Sequence, residues 1–313
     1  MTMPDRRILP ADMIVSRWAA PDGWDHRRFD WRAGDATPRG SMLFQAGRAD
    51  YVEKYLEPIA HWHDRGWHLS GFDWRGQGRS GRMLADPATG HLPSFDRLVE
   101  DLDAFVTTWR AETPAPHALV GHSMGGHVML RLLAERRAGV DAIVLVAPML
   151  GLNSAPIPGW AARTIARAAC AVGRSERRAW EAGDSPAALR VRQQALTHCD
   201  DRFADDTWWK TAQPDLALGP PSWGWVAAAY ASIDVLERLA MLERVTTPIL
   251  LIAAERDRLV SADAIRQAAA RLKTAELHII TGAAHELLRE EDRLRVPVMA
   301  TIDRFLDERA PRA

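Results

Sequence analysis

The hexapeptide Gly121-His122-Ser123-Met124-Gly125-Gly126 constrains this chain more than any other stretch. An apolar run over 117–120 leads into it, and a helical pattern over 127–133 leads out. The motif is therefore G-x-S-x-G at a strand-to-helix junction, the context in which it has chemical meaning. So tight a turn forces the serine into a strained backbone conformation, and a side chain at 121 or 125 would collide with neighbouring backbone. The strain lifts the Ser123 hydroxyl clear of the sheet, at the start of the next helix. Free N–H groups and the helix dipole there favour developing negative charge.

Strands and helices alternate on both sides of this junction. Residues 13–18 and 26–31 read as strands joined at Pro21-Asp22-Gly23, and 41–45 as a third. A helix with Val52, Tyr55, Leu56 and Ile59 on one face follows, then a strand over 67–72. Ser94 is placed to cap the next helix, and 141–147 is another strand. After Leu150 the alternation stops. Residues 151 to about 225 hold helical pieces, proline-rich turns and six tryptophans: Trp160, Trp180, Trp208, Trp209, Trp223 and Trp225. Most of these six are expected to pack the segment onto the core. The alternation resumes with a helix from about Trp225 to Glu243, a strand over 248–253, a helix capped by Ser261, a strand over 275–280 and a terminal helical region. This order implies an α/β protein with a mostly parallel eight-stranded sheet and helices on both faces. The core is read as 1–150 and 226–313, with a helical cap inserted at 151–225.

A serine hydroxyl needs a base within hydrogen-bond reach and a third group to orient that base. In an open parallel sheet such groups gather outside the carboxyl ends of strands. His278 lies within the last strand and is read as structural, whereas His285 follows it in a loop from which it reaches Ser123. Asp257 and Glu255 follow the preceding strand. Asp257 is the expected acid, because Leu259-Val260 and a capped helix anchor its loop; Glu255 is nearer the strand end and harder to fix. The chain order Ser123, Asp257, His285 is the one this architecture uses. Oxyanion donors are expected from the backbone N–H of Met124 and, in the loop after the third strand, of Arg48. The Arg48 side chain is as readily an exposed surface arginine.

The net charge of −1 lacks the strongly basic balance of a nucleic-acid binder, so no nucleic-acid partner is expected. Gly76-Gln-Gly-Arg-Ser-Gly81 fits G-x-G-x-x-G, but no helix opens from it to receive a pyrophosphate. His61-Trp-His63-Asp64 has metal-ligand spacing without further ligands and reads as a solvated helix end. Neither cofactor nor metal is expected. Residues 1–20 carry no signal-like apolar segment, no run is long enough to span a membrane, and Cys170 and Cys199 read as free thiols. The cytoplasm is the expected compartment. Oligomeric state has no signature in the sequence.

These residues resemble the α/β-hydrolase superfamily over nearly the whole chain, and within it the lysophospholipase L2 and monoacylglycerol lipase group, also called serine aminopeptidase S33-like. Asp73-Trp-Arg-Gly-Gln-Gly-Arg-Ser80 matches that group's D-x-R-G-x-G-x-S loop. Gly47-Arg48-Ala49-Asp50 with Glu53-Lys54-Tyr55 is similar to G-R-x-E-x-x-E-K-Y, with Asp50 in place of Glu. Leu196-Thr197-His198 with Asp201-Arg202-Phe203 is similar to the group's L-T-x-D-x-x-R-[YF] cap segment, and His285-Glu286-Leu287-Leu288 matches H-E-[IL]-L. Monoacylglycerol lipases carry His-Gly-x-Gly where this chain has Gln45-Ala-Gly-Arg48, which favours the lysophospholipase-like branch. The resemblance implies an α/β-hydrolase fold and a cytoplasmic serine esterase acting on a small-molecule acyl ester, a lysophospholipid or monoacylglycerol. The cap arginines Arg163, Arg167, Arg174, Arg177 and Arg178 also suit peripheral membrane contact through the cap. An aminopeptidase on the same triad is the alternative, with Asp200, Asp201, Asp205 and Asp206 to grip a substrate amine. A non-catalytic binding protein is a third reading, and the intact triad opposes it.

Overall fold

The apolar stretches of the sequence become the strands of one sheet, and the amphipathic stretches its covering helices. The computed structural model describes residues 5–34, 38–136, 138–181, 183, 185–238 and 241–312. In chain order the elements are β1 (Ile14–Ala19), β2 (Asp25–Trp31), β3 (Gly40–Gln45), α1 (Leu56–His63), β4 (Trp67–Phe72), α2 (Asp96–Glu112), β5 (His117–His122), α3 (Met124–Arg136), β6 (Ala142–Val146), α4 (Gly159–Ala171), α5 (Pro186–Leu196), α6 (Asp200–Ala212), α7 (Trp223–Glu237), β7 (Ile249–Ala254), α8 (Ala262–Arg271), β8 (Ala275–Ile280) and α9 (Asp292–Arg309). The eight strands run β1-β2-β4-β3-β5-β6-β7-β8 across the sheet. β1 and β2 pair antiparallel, as do β2 and β4, and every pair from β4 to β8 is parallel. All residues of β3, β5, β6 and β7 are buried, as central strands of a sheet covered on both faces should be.

The order decides where the chemistry lies. From β3 the chain moves outward to β4, then returns across β3 to place β5 beside it. The strand order thus reverses between β3 and β5, and the carboxyl ends at such a reversal are where functional groups gather in an open parallel sheet. Ser123 is the first residue after β5.

Three helix ends differ from the expected ones. Ser222 Oγ accepts from the Trp225 N–H at 3.1 Å, so α7 starts at Trp223. It ends at Glu237 because Arg238 turns extended, and Leu242–Arg244 form a separate short turn; positions 239 and 240 of the expected helix lie outside the described residues. Ser94 Oγ accepts from the Asp96 N–H at 3.1 Å, one position before the helix boundary at Phe95.

Between β6 and α7 the chain adds helices and, among the described residues, no sheet strand. Attachment is uneven: α6 buries Arg202, Asp205, Asp206 and Trp209, α4 buries only Ala166, and α5 buries nothing. The tryptophans do not mostly pack inward. Trp209 and Trp225 are buried and Trp223 packs on the core, but Trp160 is 74% exposed, Trp180 56% and Trp208 38%. The inward face of α4 is built from Ala162 and Ala166, and small side chains let it lie close on α7 while its tryptophan faces outward.

Candidate active site

Ser123 sits at φ 51° in the turn from β5 to α3, one of three non-glycine residues described with positive φ. The flanking glycines are required sterically. A Cβ on Gly121 would lie 2.8 Å from the Gly126 nitrogen, and one on Gly125 would lie 2.5 Å from the carbonyl oxygens of Gln45 and Ala46. The turn is pinned as well: Ser123 N–H donates to Val146 O, and Ser123 O accepts from the His127 and Met149 N–H groups.

The structure brings the three sequence-chosen residues together. His285 Nε2 is 2.9 Å from Ser123 Oγ, and His285 Nδ1 is 2.7 Å from Asp257 Oδ2. A proton on Nδ1 donated to the carboxylate leaves Nε2 free to accept the serine hydroxyl. Asp257 is itself fixed, since Oδ1 accepts from the N–H groups of Leu259 at 2.8 Å and Val260 at 2.9 Å. Burial raises the Asp257 carboxyl, but the neighbouring imidazole and these N–H groups outweigh it and hold it below its ordinary value. Burial likewise works against a charged His285, but the Asp257 carboxylate outweighs it and raises the imidazole above its ordinary value. Glu255 is elsewhere: its Oε2 accepts from the Gly282 N–H at 3.2 Å and clips two loops together. His278 pairs with Glu276 on β8 at 2.7 Å. His61 bonds Asp303 at 2.8 Å, and His63 stacks on Trp31 with ring centroids 3.8 Å apart.

Met124 opens α3, so its N–H has no preceding turn to bond to. The turn after β3 lies against Ser123, for a Cβ on Gly47 would be 3.1 Å from Ser123 Cβ. The N–H groups on either side of Arg48 are engaged: Gly47 donates to Asp50 Oδ2 at 3.0 Å and Ala49 to Gln77 Oε1 at 2.6 Å. The Arg48 side chain is not an exposed surface group. It donates to Gly219 O at 2.6 Å and lies 5.2 Å from the centre of the Trp225 ring.

A buried polar scaffold that sequence reasoning missed supports these residues. Tyr55 Oη donates to Asp50 Oδ2 at 2.9 Å and lies 3.0 Å from His122 Nδ1, and His122 Nε2 is 3.4 Å from the His285 carbonyl oxygen. Lys54 Nζ donates to Asp50 and to Glu286, and Glu286 also pairs with Arg289. Burial would raise both carboxyls, yet Lys54 beside them holds both below their ordinary values. The i,i+4 spacing of Asp50 and Lys54 is visible in sequence, but nothing local points either residue at Glu286.

The neighbouring α5 also meets the site. The N–H groups of His285 and Glu286 donate to Ala195 O and Leu196 O at 3.4 and 2.7 Å. Glu290, fully buried, accepts from the Ala284 N–H at 2.7 Å and from the His198 N–H at 3.0 Å, so one carboxylate ties the His285 loop to the chain after α5.

Residues 36–292 match the family described as serine aminopeptidase, S33. Lysophospholipase L2 of Escherichia coli is 34% identical over 288 residues, which span 85% of this chain and 80% of that protein. The probable lysophospholipase L2 of Haemophilus influenzae is 27% identical over 276 residues, 87% of this chain and 85% of its own. A soluble variant of monoglyceride lipase from Saccharomyces cerevisiae, solved with a substrate analogue, superposes with a TM-score of 0.77 over 99% of both chains at 16% identity. That likeness establishes the shared α/β-hydrolase fold.

Proposed function

The chain belongs to the serine aminopeptidase S33 family, and from that premise we propose that it is a carboxylic-ester hydrolase acting on single-chain acyl lipids, a lysophospholipid or a monoacylglycerol. The observation that carries this is the hydrogen-bonded series Asp257–His285–Ser123 at the strained turn after β5. Ser123 Oγ attacks the ester carbonyl carbon while His285 Nε2 takes its proton, with Asp257 steadying the imidazolium. Collapse of the tetrahedral intermediate breaks the ester C–O bond, and His285 returns the proton to the departing alcohol. Water then attacks the acyl-Ser123 carbonyl with His285 again as base, releasing the fatty acid. The N–H groups of Met124 and Arg48 are assigned to the oxyanion.

The 151–225 segment is assigned as a cap. Ser123 is only 8% exposed and His285 3%, so the α4–α5 part, which buries little, is the piece to move when substrate enters. Its outer surface carries Trp160, Ile165, Val172 and Trp180 among arginines, a composition suited to peripheral contact with an anionic lipid surface at the cytoplasmic face. No helix among the described residues is long and apolar enough to cross a membrane.

The aminopeptidase reading needs free carboxylates near the site. Asp205 is paired with Arg6 and Arg7, and Asp206 with Lys210 and Tyr51, so half of the acidic cluster is neutralised internally. The deciding experiment combines fluorophosphonate labelling with a panel of lysophospholipid, monoacylglycerol and amino-acid nitroanilides. Ester turnover with slow nitroanilide cleavage is the expected result, and the reverse rejects the ester reading.

A further inference from the structure

The end of α5 is held more tightly than its body. The helix itself buries nothing, but Thr197, the residue after it, is fully buried. From Ala195 to His198 each residue bonds to the loop that carries His285. Ala195 O and Leu196 O accept from the His285 and Glu286 N–H groups at 3.4 and 2.7 Å, and Thr197 Oγ1 donates to Arg289 O at 2.8 Å. The His198 N–H donates to Glu290 Oε2 at 3.0 Å, and His198 Nδ1 lies 2.8 Å from Glu290 Oε1. A carboxylate only accepts, so the proton of that contact sits on Nδ1.

Glu290 differs from the other buried acids of this region. Asp50, Glu53, Glu57, Asp206 and Glu286 each pair with a lysine or arginine. No lysine or arginine side chain among the described residues pairs with the Glu290 carboxylate. Arg202 reaches only its backbone carbonyl, at 2.7 Å, and forms its own ion pairs with Glu57 and Asp292. Glu290 Oε1 accepts instead from the Ala284 N–H at 2.7 Å and from the His198 ring, so one oxygen joins the residue before His285 to the segment assigned as the cap. The carboxylate is fully buried, whereas 38% of the His198 side chain is exposed. Burying a carboxylate is costly unless donors meet it, so lifting His198 away would leave Glu290 short of two of them.

We propose that Glu290 is a positioning residue for His285, and that with His198 it forms a latch through which the α5–α6 junction sets the imidazole against Ser123 and Asp257. The inference rests on the reading of His285 as the general base and goes beyond it by making part of the cap a support of that base. With the latch closed, three successive N–H groups are engaged: that of Ala284 by Glu290, and those of His285 and Glu286 by Ala195 and Leu196. They fix the main chain on both sides of the imidazole, while Asp257 holds the ring at Nδ1. With the latch open, the His198 donors and the carbonyls of Ala195 and Leu196 leave together, and the His285 N–H loses its partner. Closing over a bound acyl ester therefore completes the alignment of the base as well as shutting out water.

The test measures kcat and KM for p-nitrophenyl octanoate in the parent, Glu290→Gln, His198→Ala and His198→Asn. Glu290→Gln puts an amide donor among N–H groups at nearly constant volume. It should lower kcat roughly ten- to a hundredfold, the cost of misplacing a catalytic group by up to about 1 Å. KM should stay within about threefold, because alignment of the base is felt in the transition state and not in binding. His198→Ala should lower kcat in the same sense, and His198→Asn, whose amide nitrogen stands where Nδ1 stood, should recover part of it. His198 is exposed, so its variants separate alignment from a folding defect. In an Asp257→Asn background Glu290→Gln should cost at most about threefold more, because both act through one imidazole. Equal losses in both backgrounds overturn the proposal. A second readout needs no turnover: the His285 imidazole is titrated by NMR in Ser123→Ala. Burial lowers that imidazole, Asp257 with Glu286 and Asp50 raises it above its ordinary value, and the His122 ring lies 4.8 Å away. All four groups remain in the variants, so a shift reports movement of the ring. The inflection should fall in Glu290→Gln and in His198→Ala as the Asp257 contact loosens, and this holds even if the parent cleaves no ester and that reading fails. An inflection unchanged in both variants overturns the latch.

Discussion

Lys54 Nζ lies 2.5 Å from Asp50 Oδ1 and 2.6 Å from Glu286 Oε1, so one buried ammonium joins the turn after β3 to the residue following His285. Asp50 holds the Gly47 N–H beside Ser123, and Glu286 is covalently next to His285. Lys54→Met leaves Asp50 without a cation and Glu286 with Arg289 as its only one among the described residues. It should lower unfolding stability by about 3–5 kcal/mol at neutral pH, measured by urea titration. Both carboxyls titrate below their ordinary values, so their stabilisation is present above about pH 4.5 and lost as pH falls through their folded values. The gap between variant and parent should therefore narrow below about pH 4. A constant gap, or one under about 1 kcal/mol, rejects the bridge as a stabilising contact.

Ser123 should take up a fluorophosphonate, and Ser123→Ala should lose on the order of 10⁴- to 10⁶-fold in kcat with the fold retained. His285→Ala should lose nearly as much and the double variant little more, because residues acting as a unit are not additive. Retention of a tenth of the parent rate by Ser123→Ala would show that another group is the nucleophile.

The rate should rise with pH as His285 loses its proton. Asp257 stabilises the imidazolium, so the inflection belongs above the ordinary histidine value of 6.5. Asp257→Asn removes that carboxylate, so it should lower kcat and move the inflection to lower pH. Glu255→Gln should stay close to the parent, since Glu255 contacts Gly282 and not the imidazole. A larger loss in Glu255→Gln than in Asp257→Asn would transfer the role of the acid.

Acyl-chain recognition predicts a length dependence. Burying each methylene is worth about 0.8 kcal/mol, or roughly fourfold in kcat/KM. p-Nitrophenyl esters from acetate to palmitate should therefore be cleaved with steeply rising kcat/KM until the chain outgrows its slot. A flat profile would show that no acyl slot lies under the α4–α6 segment.

What the sequence determined by itself is what depends on near neighbours along the chain. Apolar residues and the turns between them marked the eight strands, and in β6 and β7, buried on both faces, the apolar run is unbroken. Two glycines around Ser123 announced a turn that only they fit, and Asp257 and His285 followed later strands, where the architecture collects functional groups. Tertiary structure alone decided which surfaces lost water and therefore which charges had to find partners. Lys54 meets Glu286 across 232 residues, and Arg48 meets Gly219 across 171. The same holds for the tryptophans: Trp209 is buried beside the N-terminal segment, while its neighbour Trp208 remains 38% exposed. Periodicity is written into a few consecutive residues, whereas desolvation depends on packing between elements far apart in sequence, so the scaffold behind Ser123 and His285 becomes visible only once the chain is folded.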